Sequence, residues 1–185
     1  MAGEPLPERD PAATATDDEL MARLAAGSES ALEELSLRHR GRLVRLATRA
    51  LGDRGRAEDV AQETFLRVFR HARAYRPQGQ FSSWLTTIAA RLCLNASRDR
   101  DRRLERPLAA SPLVSPASTE RSLELRQVRE AVGRLPSRQR LALILKAVEG
   151  LSYREIALAL ECTETDVANA VFRARKALAR DFGPR

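Results

Sequence analysis

Five side chains near the end of the chain fall on one face of a helix. In "TETDVANAVFRARKALA", Val167, Val171, Ala174 and Leu178 recur at i, i+4, i+7 and i+11, which is one apolar stripe at 3.6 residues per turn. The opposite face carries Thr165, Asn169, Phe172, Arg173 and Lys176, with Arg175 at its border. Hydroxyl and amide groups can hydrogen-bond base edges, and guanidinium and ammonium groups can hold phosphates. A solvated helix face would show the same pattern. A second set lies in "SWLTTIAARLCLNASRDRDRR", where Thr87, Arg91 and Arg98 share a face and Asn95 sits at its edge. It is a basic, hydrogen-bonding strip suited to a polyanion. Just ahead, Tyr75, Phe81 and Trp84 could stack on unpaired bases or form the core of an aromatic-poor domain. A third set, Asp59, Glu63, Arg67 and Arg70, lines one side of "RAEDVAQETFLRVFRHARAY". Glu63 and Arg67 form an i, i+4 pair in the favourable order. From the residues alone this side reads as a solvated surface.

Enzymatic chemistry finds little to work with. The chain has no G-x-x-x-x-G-K-[ST] loop, no H-E-x-x-H and no Cys/His cluster. His39 and His71 are isolated, and Cys93 and Cys162 lie too far apart for ligand spacing. No catalytic residue, metal or cofactor is expected, and the chain reads as a non-enzyme.

The elements that must position these sets are helices. Of the 185 residues, 43% are hydrophobic but only 4% aromatic, so the core must be Leu, Ala, Val and Ile, a composition that favours helix. Residues 1–15 hold three prolines and are expected to be disordered. Thr16 is a candidate N-cap before Asp17, Asp18 and Glu19, and Ser28 a candidate cap for the next helix, whose stripe is Leu32, Leu35, Leu43, Leu46 and Ala50. "GDRG" at 52–55 breaks the chain. A third helix starts at Arg56, with Ala61, Phe65, Val68 and Ala72 inward, and ends at Pro77 and Gly79. A fourth begins near Ser82. Residues 106–119, with three prolines, read as a flexible linker. A second helical unit runs from 120 to 182. In it Leu141, Ile144, Leu145 and Val148 brace a helix-turn-helix, Ser152 and Glu155 form a capping box, and Thr163 or Thr165 caps the last helix. The expected fold is all-α: two small helical domains, 16–105 and 120–182, joined by that linker.

Charge is uneven along the chain. Residues 1–34 carry a net −7, residues 35–106 a net +10 and residues 107–185 a net +4. Basic segments of this kind suit a nucleic-acid partner. No apolar run approaches the ~18 residues of a membrane span, and the N-terminus lacks the apolar core of a secretory signal. The expected setting is the cytoplasm, without membrane insertion.

Taken together, "AEDVAQETFLRVFRHARAY" with "FSSWLTTIAARLCLNASRDRDRR", then "LPSRQRLALILKAVEGLSYREIALAL" with "FRARKAL", resemble the bacterial RNA polymerase sigma-70 family in its small extracytoplasmic-function (ECF) group. The first pair resembles region 2 and the second region 4. The resemblance implies a sigma factor that joins core RNA polymerase, directs it to promoter DNA and is held by an anti-sigma factor. It implies docking of Asp59, Gln62, Glu63 and Arg67 on the β′ clamp coiled coil. It implies reading of the −10 element by Arg76, Phe81, Ser83, Trp84, Thr87, Arg91, Asn95 and Arg98, with the loop Arg76–Ser83 holding a flipped base. It implies reading of the −35 element by the helix-turn-helix (152–176) through Thr165, Asn169, Phe172, Arg173, Arg175 and Lys176, with the preceding helices on the β-flap tip. Where relatives often read G-T-V-K-S-R, this chain has Thr165, Asp166, Val167, Ala168, Asn169 and Ala170, so two basic positions are alanine. At Arg91 and Asn95 the common choices would be Asn and Asp. The alternative is a stand-alone helix-turn-helix regulator, which leaves the first unit unused.

Overall fold

Four of the described helices begin where a side chain takes up one of the first unpaired backbone N–H groups. The computed structural model describes residues 15–103 and 120–182; the expected linker and nearly all of the expected N-terminal tail lie outside these residues. Helix α1 (Asp17–Ala25) starts on a complete capping box: Thr16 Oγ1 accepts the Glu19 N–H at 3.2 Å and Glu19 Oε2 accepts the Thr16 N–H at 2.9 Å. Helix α2 (Glu29–Leu51) follows Ser28, whose hydroxyl meets that of Ser30 instead of capping the helix. It stops at Gly52, where φ is 71°, a left-handed turn that glycine makes at little cost. Asp53 then accepts the Arg56 N–H at 3.0 Å, so α3 (Arg54–His71) starts inside "GDRG", two residues earlier than expected. It also ends before Pro77, passing into a 3-10 turn at Ala72–Ala74. Helix α4 (Phe81–Arg103) completes the first half.

The second half comprises α5 (Glu120–Arg134), α6 (Ser137–Ala147), α7 (Tyr153–Leu160) and α8 (Glu164–Phe182). Ser152 and Glu155 form the expected capping box on α7. For α8 the cap is Thr163 rather than Thr165. Thr163 Oγ1 accepts the Asp166 N–H at 3.1 Å, and Asp166 Oδ2 accepts the Thr163 N–H at 3.0 Å. Each such cap stabilises its helix by about 1 kcal/mol. Glu161, at φ 52°, makes the tight turn between α7 and α8.

All described elements are helical, as the composition requires. The inward stripes are as read from the sequence, with three exceptions. Leu32 and Leu178 are only partly buried, and Val148 is 52% exposed because the chain leaves α6 at Ala147 and turns away from the core. The two halves are not independent bodies. α4 lies along α7, α2 meets α6, and one hydrophobic cluster runs from Leu20 in α1 to Val171 in α8.

Candidate nucleic-acid interface

The face of α8 opposite its buried Val167, Ala170, Val171 and Ala174 carries Thr165, Asn169, Phe172, Arg173, Arg175 and Lys176, all exposed. Phe172 is 64% exposed and projects from this face. Asp166 at the leading end is occupied with capping. Hydrogen bonds from the Thr163 hydroxyl and N–H hold its carboxyl below its ordinary value, so it is ionised and turned to its own helix. What this face offers a duplex is one amide and one hydroxyl toward the helix start and three cations behind them.

The second surface is assembled from several elements. The end of α3, the segment 74–80, α4 and α7 enclose a cleft of about 620 Å³. Arg67, Arg76, Ser83, Trp84, Thr87 and Arg91 are among the side chains lining it. Its aromatic wall is a stack in which Tyr75 lies 4.9 Å from Trp84, ring centre to ring centre, and 5.9 Å from Phe81. Phe81 is 2% exposed and packs between the His39 and Tyr75 rings, which puts it in the core, one of the two readings its sequence allowed. Trp84 is half-buried, with one side on the core and one on the cleft. Asn95 and Arg98, further along α4, are exposed.

Across the cleft stands α7. The Ser83 hydroxyl donates to Glu155, and the Arg91 guanidinium donates to the Leu158 carbonyl at 2.9 Å, with Glu161 at 3.7 Å. Bonds from the hydroxyls of Ser152 and Ser83 hold the Glu155 carboxyl below its ordinary value. Thr87 turns its hydroxyl onto the Ser83 carbonyl of its own helix at 3.0 Å. A nucleic-acid strand on this side of α4 and α7 would compete for the same atoms.

Arg42 of α2 ties the junction together. Its Nε donates to Glu149 at 2.8 Å, Nη2 to Thr86 Oγ1 at 3.0 Å and Nη1 to Ser82. The Glu149 side chain is 5% exposed and is buried against this partner. Neither residue drew attention in the sequence, because 107 positions separate them and no local pattern pairs them.

A third surface is the outer side of α3. Asp59 and Gln62 are exposed there, and Glu63 accepts from Arg67 at 3.0 Å as expected. Two apolar side chains were missed: Leu66, 44% exposed, and Phe69, 52% exposed. At 100° per residue Leu66 falls between Asp59 and Gln62, off the buried stripe of Ala61, Phe65 and Val68. That misfit with the stripe was the available signal. A shallow groove of about 310 Å³ lies where α5, α6 and the end of α8 meet. Ala131, Leu135, Pro136 and Leu178 line it, and an Arg134–Asp181 pair at 2.7 Å borders it.

Known proteins show the same two blocks in the same order. A family model for sigma-70 region 2 matches residues 35–103, and one for sigma-70 region 4 matches residues 125–178. The chain is 30% identical to the RNA polymerase sigma-H factor of Pseudomonas aeruginosa, over 91% of this chain and 94% of that one. It is 34% identical to the ECF RNA polymerase sigma factor SigE of Mycolicibacterium smegmatis, over 95% of this chain and 69% of that protein. Among solved structures it resembles the sigma factor RpoE bound to the anti-sigma factor NepR from Bartonella quintana. The TM-score is 0.66 at 25% identity, covering 80% of this chain and 94% of that one. It also resembles CnrH in complex with the cytosolic domain of CnrY, with a TM-score of 0.61 at 28% identity, covering 89% of this chain and 95% of that one. Among the described residues no helix is long and apolar enough to cross a membrane.

Proposed function

The chain belongs to the sigma-70 family, in its ECF group, and from that premise we propose how its surfaces divide the work of a promoter-specificity subunit. The outer side of α3 docks on the β′ clamp coiled coil. Leu66 and Phe69 supply apolar contact there, and Asp59, Gln62, Glu63 and Arg67 surround them. The cleft between the loop 76–83 and α4 takes a base flipped from the −10 element. Trp84 stacks on it, and Arg76, Arg91, Asn95 and Arg98 follow the strand. The exposed face of α8 enters the major groove at the −35 element. The groove where α5, α6 and α8 meet seats the β-flap tip. The protein performs no covalent chemistry of its own; bond formation stays with the polymerase.

The observation that carries this reading is the coincidence of two matched regions, in order, with one exposed reading face on α8 and a second polar surface in the cleft beside α4. A stand-alone helix-turn-helix regulator would leave residues 35–103 without a task. RpoE is bound to an anti-sigma factor in its complex with NepR, and this chain is controlled in the same manner, by a dedicated protein that holds it from polymerase. Its site of action is the cytoplasm.

Run-off transcription tests the proposal. Purified core polymerase with this protein should initiate from promoters that core alone ignores. If no candidate promoter responds, the reading fails. Pull-down of β′ fragments by the wild-type chain, lost on Leu66→Asp, tests the docking face separately.

A further inference from the structure

We propose that Asp18 is a positioning residue for the cleft: one carboxylate on α1 fixes the loop beneath which the −10 base is held, and so sets how sharply that base is discriminated. The inference rests on the promoter-reading role given to the cleft above, and it adds a residue that touches no DNA. Asp18 Oδ1 accepts the Tyr75 hydroxyl at 2.6 Å, and Asp18 Oδ2 accepts the Gly79 N–H at 2.8 Å. The two donors lie 57 and 61 positions away and bracket Arg76, Pro77 and Gln78. A single group thus pins the loop at its start and at its turn, where Gly79 has φ 66°.

The consequences run into the cleft wall. Tyr75, held at its hydroxyl, lies with its ring against Phe81 and Trp84. Arg76 and Gln78, between the anchors, line the cleft with Tyr75 and Trp84. Burial first, and then the bond to Asp18, push the Tyr75 hydroxyl well above its ordinary pKa, so it stays a donor at any physiological pH.

Neighbouring bonds keep Asp18 in place. Asp17 pairs with Arg38 at 3.2 Å and with His39 Nε2 at 2.8 Å, which ties the first turn of α1 to α2. His39 in turn packs edge-on against Phe81 at 5.3 Å. The Thr16–Glu19 capping box fixes the helix start. Two successive acids therefore act in opposite directions, Asp17 on α2 and Asp18 on the loop. A sequence reading that treats both as dipole-favoured first-turn residues cannot separate them. Misplacement of a binding group by about 1 Å can cost as much as a hundredfold in a site that depends on geometry.

The test uses Asp18→Asn, which keeps shape but cannot accept both bonds, in holoenzyme on a promoter library randomised through the −10 element. Base preference at one position should flatten about tenfold, within the range a single specific contact commands. Core-polymerase affinity and −35 preference should be unchanged. Tyr75→Phe should give part of the loss. Asp53→Ala serves as the control: it removes the cap at the start of α3, far from the cleft, and leaves both Asp18 bonds in place, so it should lower stability and leave preference intact. Trp84, the sole tryptophan, gives a readout without polymerase: acrylamide should quench it more readily in Asp18→Asn and not in Asp53→Ala. Unchanged base preference in Asp18→Asn, or equal flattening by Asp53→Ala, overturns the proposal. If wild type itself initiates no better than core alone, the cleft's assigned role falls and this inference falls with it.

Discussion

The exposed face of α8 and the cleft side of α4 are built on opposite plans. On α8 a single helix supplies every polar group, and Asn169, Phe172, Arg173 and Lys176 project freely from it. On α4 the groups come from several elements, and Ser83 and Arg91 already bond to α7. The first surface needs only its own helix to be folded. The second needs the loop pinned by α1 and α7 drawn aside. Surfaces of the first kind suit duplex DNA, which presents a regular groove. The second suits a base taken out of its stack, which must be enclosed.

The strongest way to break this contrast is to open the junction. Arg42→Ala leaves the Glu149 carboxylate almost fully buried without its guanidinium, and the loss of stability should be about 2–3 kcal/mol. Amide exchange along α4 and α7 should rise while α8 keeps its protection. An unaltered exchange pattern would mean that apolar packing alone holds the halves. Next in size is Leu66→Asp. It should weaken core-polymerase binding by about 1–2 kcal/mol, in the range of a single interface anchor. The thermal midpoint should hardly move, because the side chain is already 44% exposed. A matching fall in midpoint would instead make Leu66 a folding residue.

Finer still is the division within α8. Asn169→Ala should change the preferred −35 sequence by about 1 kcal/mol at one position. Lys176→Ala should weaken all sequences alike and reduce the salt slope by about 1. Equal, sequence-independent losses from both would undo that assignment. The smallest effect concerns acid. The folded Glu155 carboxyl titrates below its ordinary range, so the stability it gives is complete above that range. It is lost as pH falls through the lowered value. Glu155→Gln should remove this part of the acid dependence, measured as the slope of midpoint against pH. An identical slope in the variant would place the acid sensitivity elsewhere.

Much of the fold was legible because its determinants are local. Thr16 with Glu19 and Ser152 with Glu155 announce helix starts three residues ahead, and the stripe of α8 can be counted at 3.6 residues per turn. The choice between Thr163 and Thr165 needed one further fact, that Asp166 stands three residues after Thr163 and closes the box. Asp53 was hidden for the opposite reason: glycines on either side made "GDRG" look like a break, when its aspartate is a cap. The α8 face could be read from sequence since one helix makes it. The cleft could not be read as a whole, because Glu155 lines it from α7 and Asp18 holds its loop from α1, and no periodicity links residues that meet only in the fold. For Phe81 the residues left base stacking and core both open, and only the fold shows its ring buried against His39 and Tyr75.

The contact between α4 and α7 also bears on competition between partners. A partner that needs the cleft open captures only the open fraction of the chain. Each 1.4 kcal/mol or so in that contact lowers this fraction, and the partner's apparent affinity, about tenfold. A partner that accepts the joined halves meets no such factor. An inhibitor of modest intrinsic affinity can therefore hold its ground against a tighter-binding activator, and loosening the junction would tilt that contest without altering either binding surface.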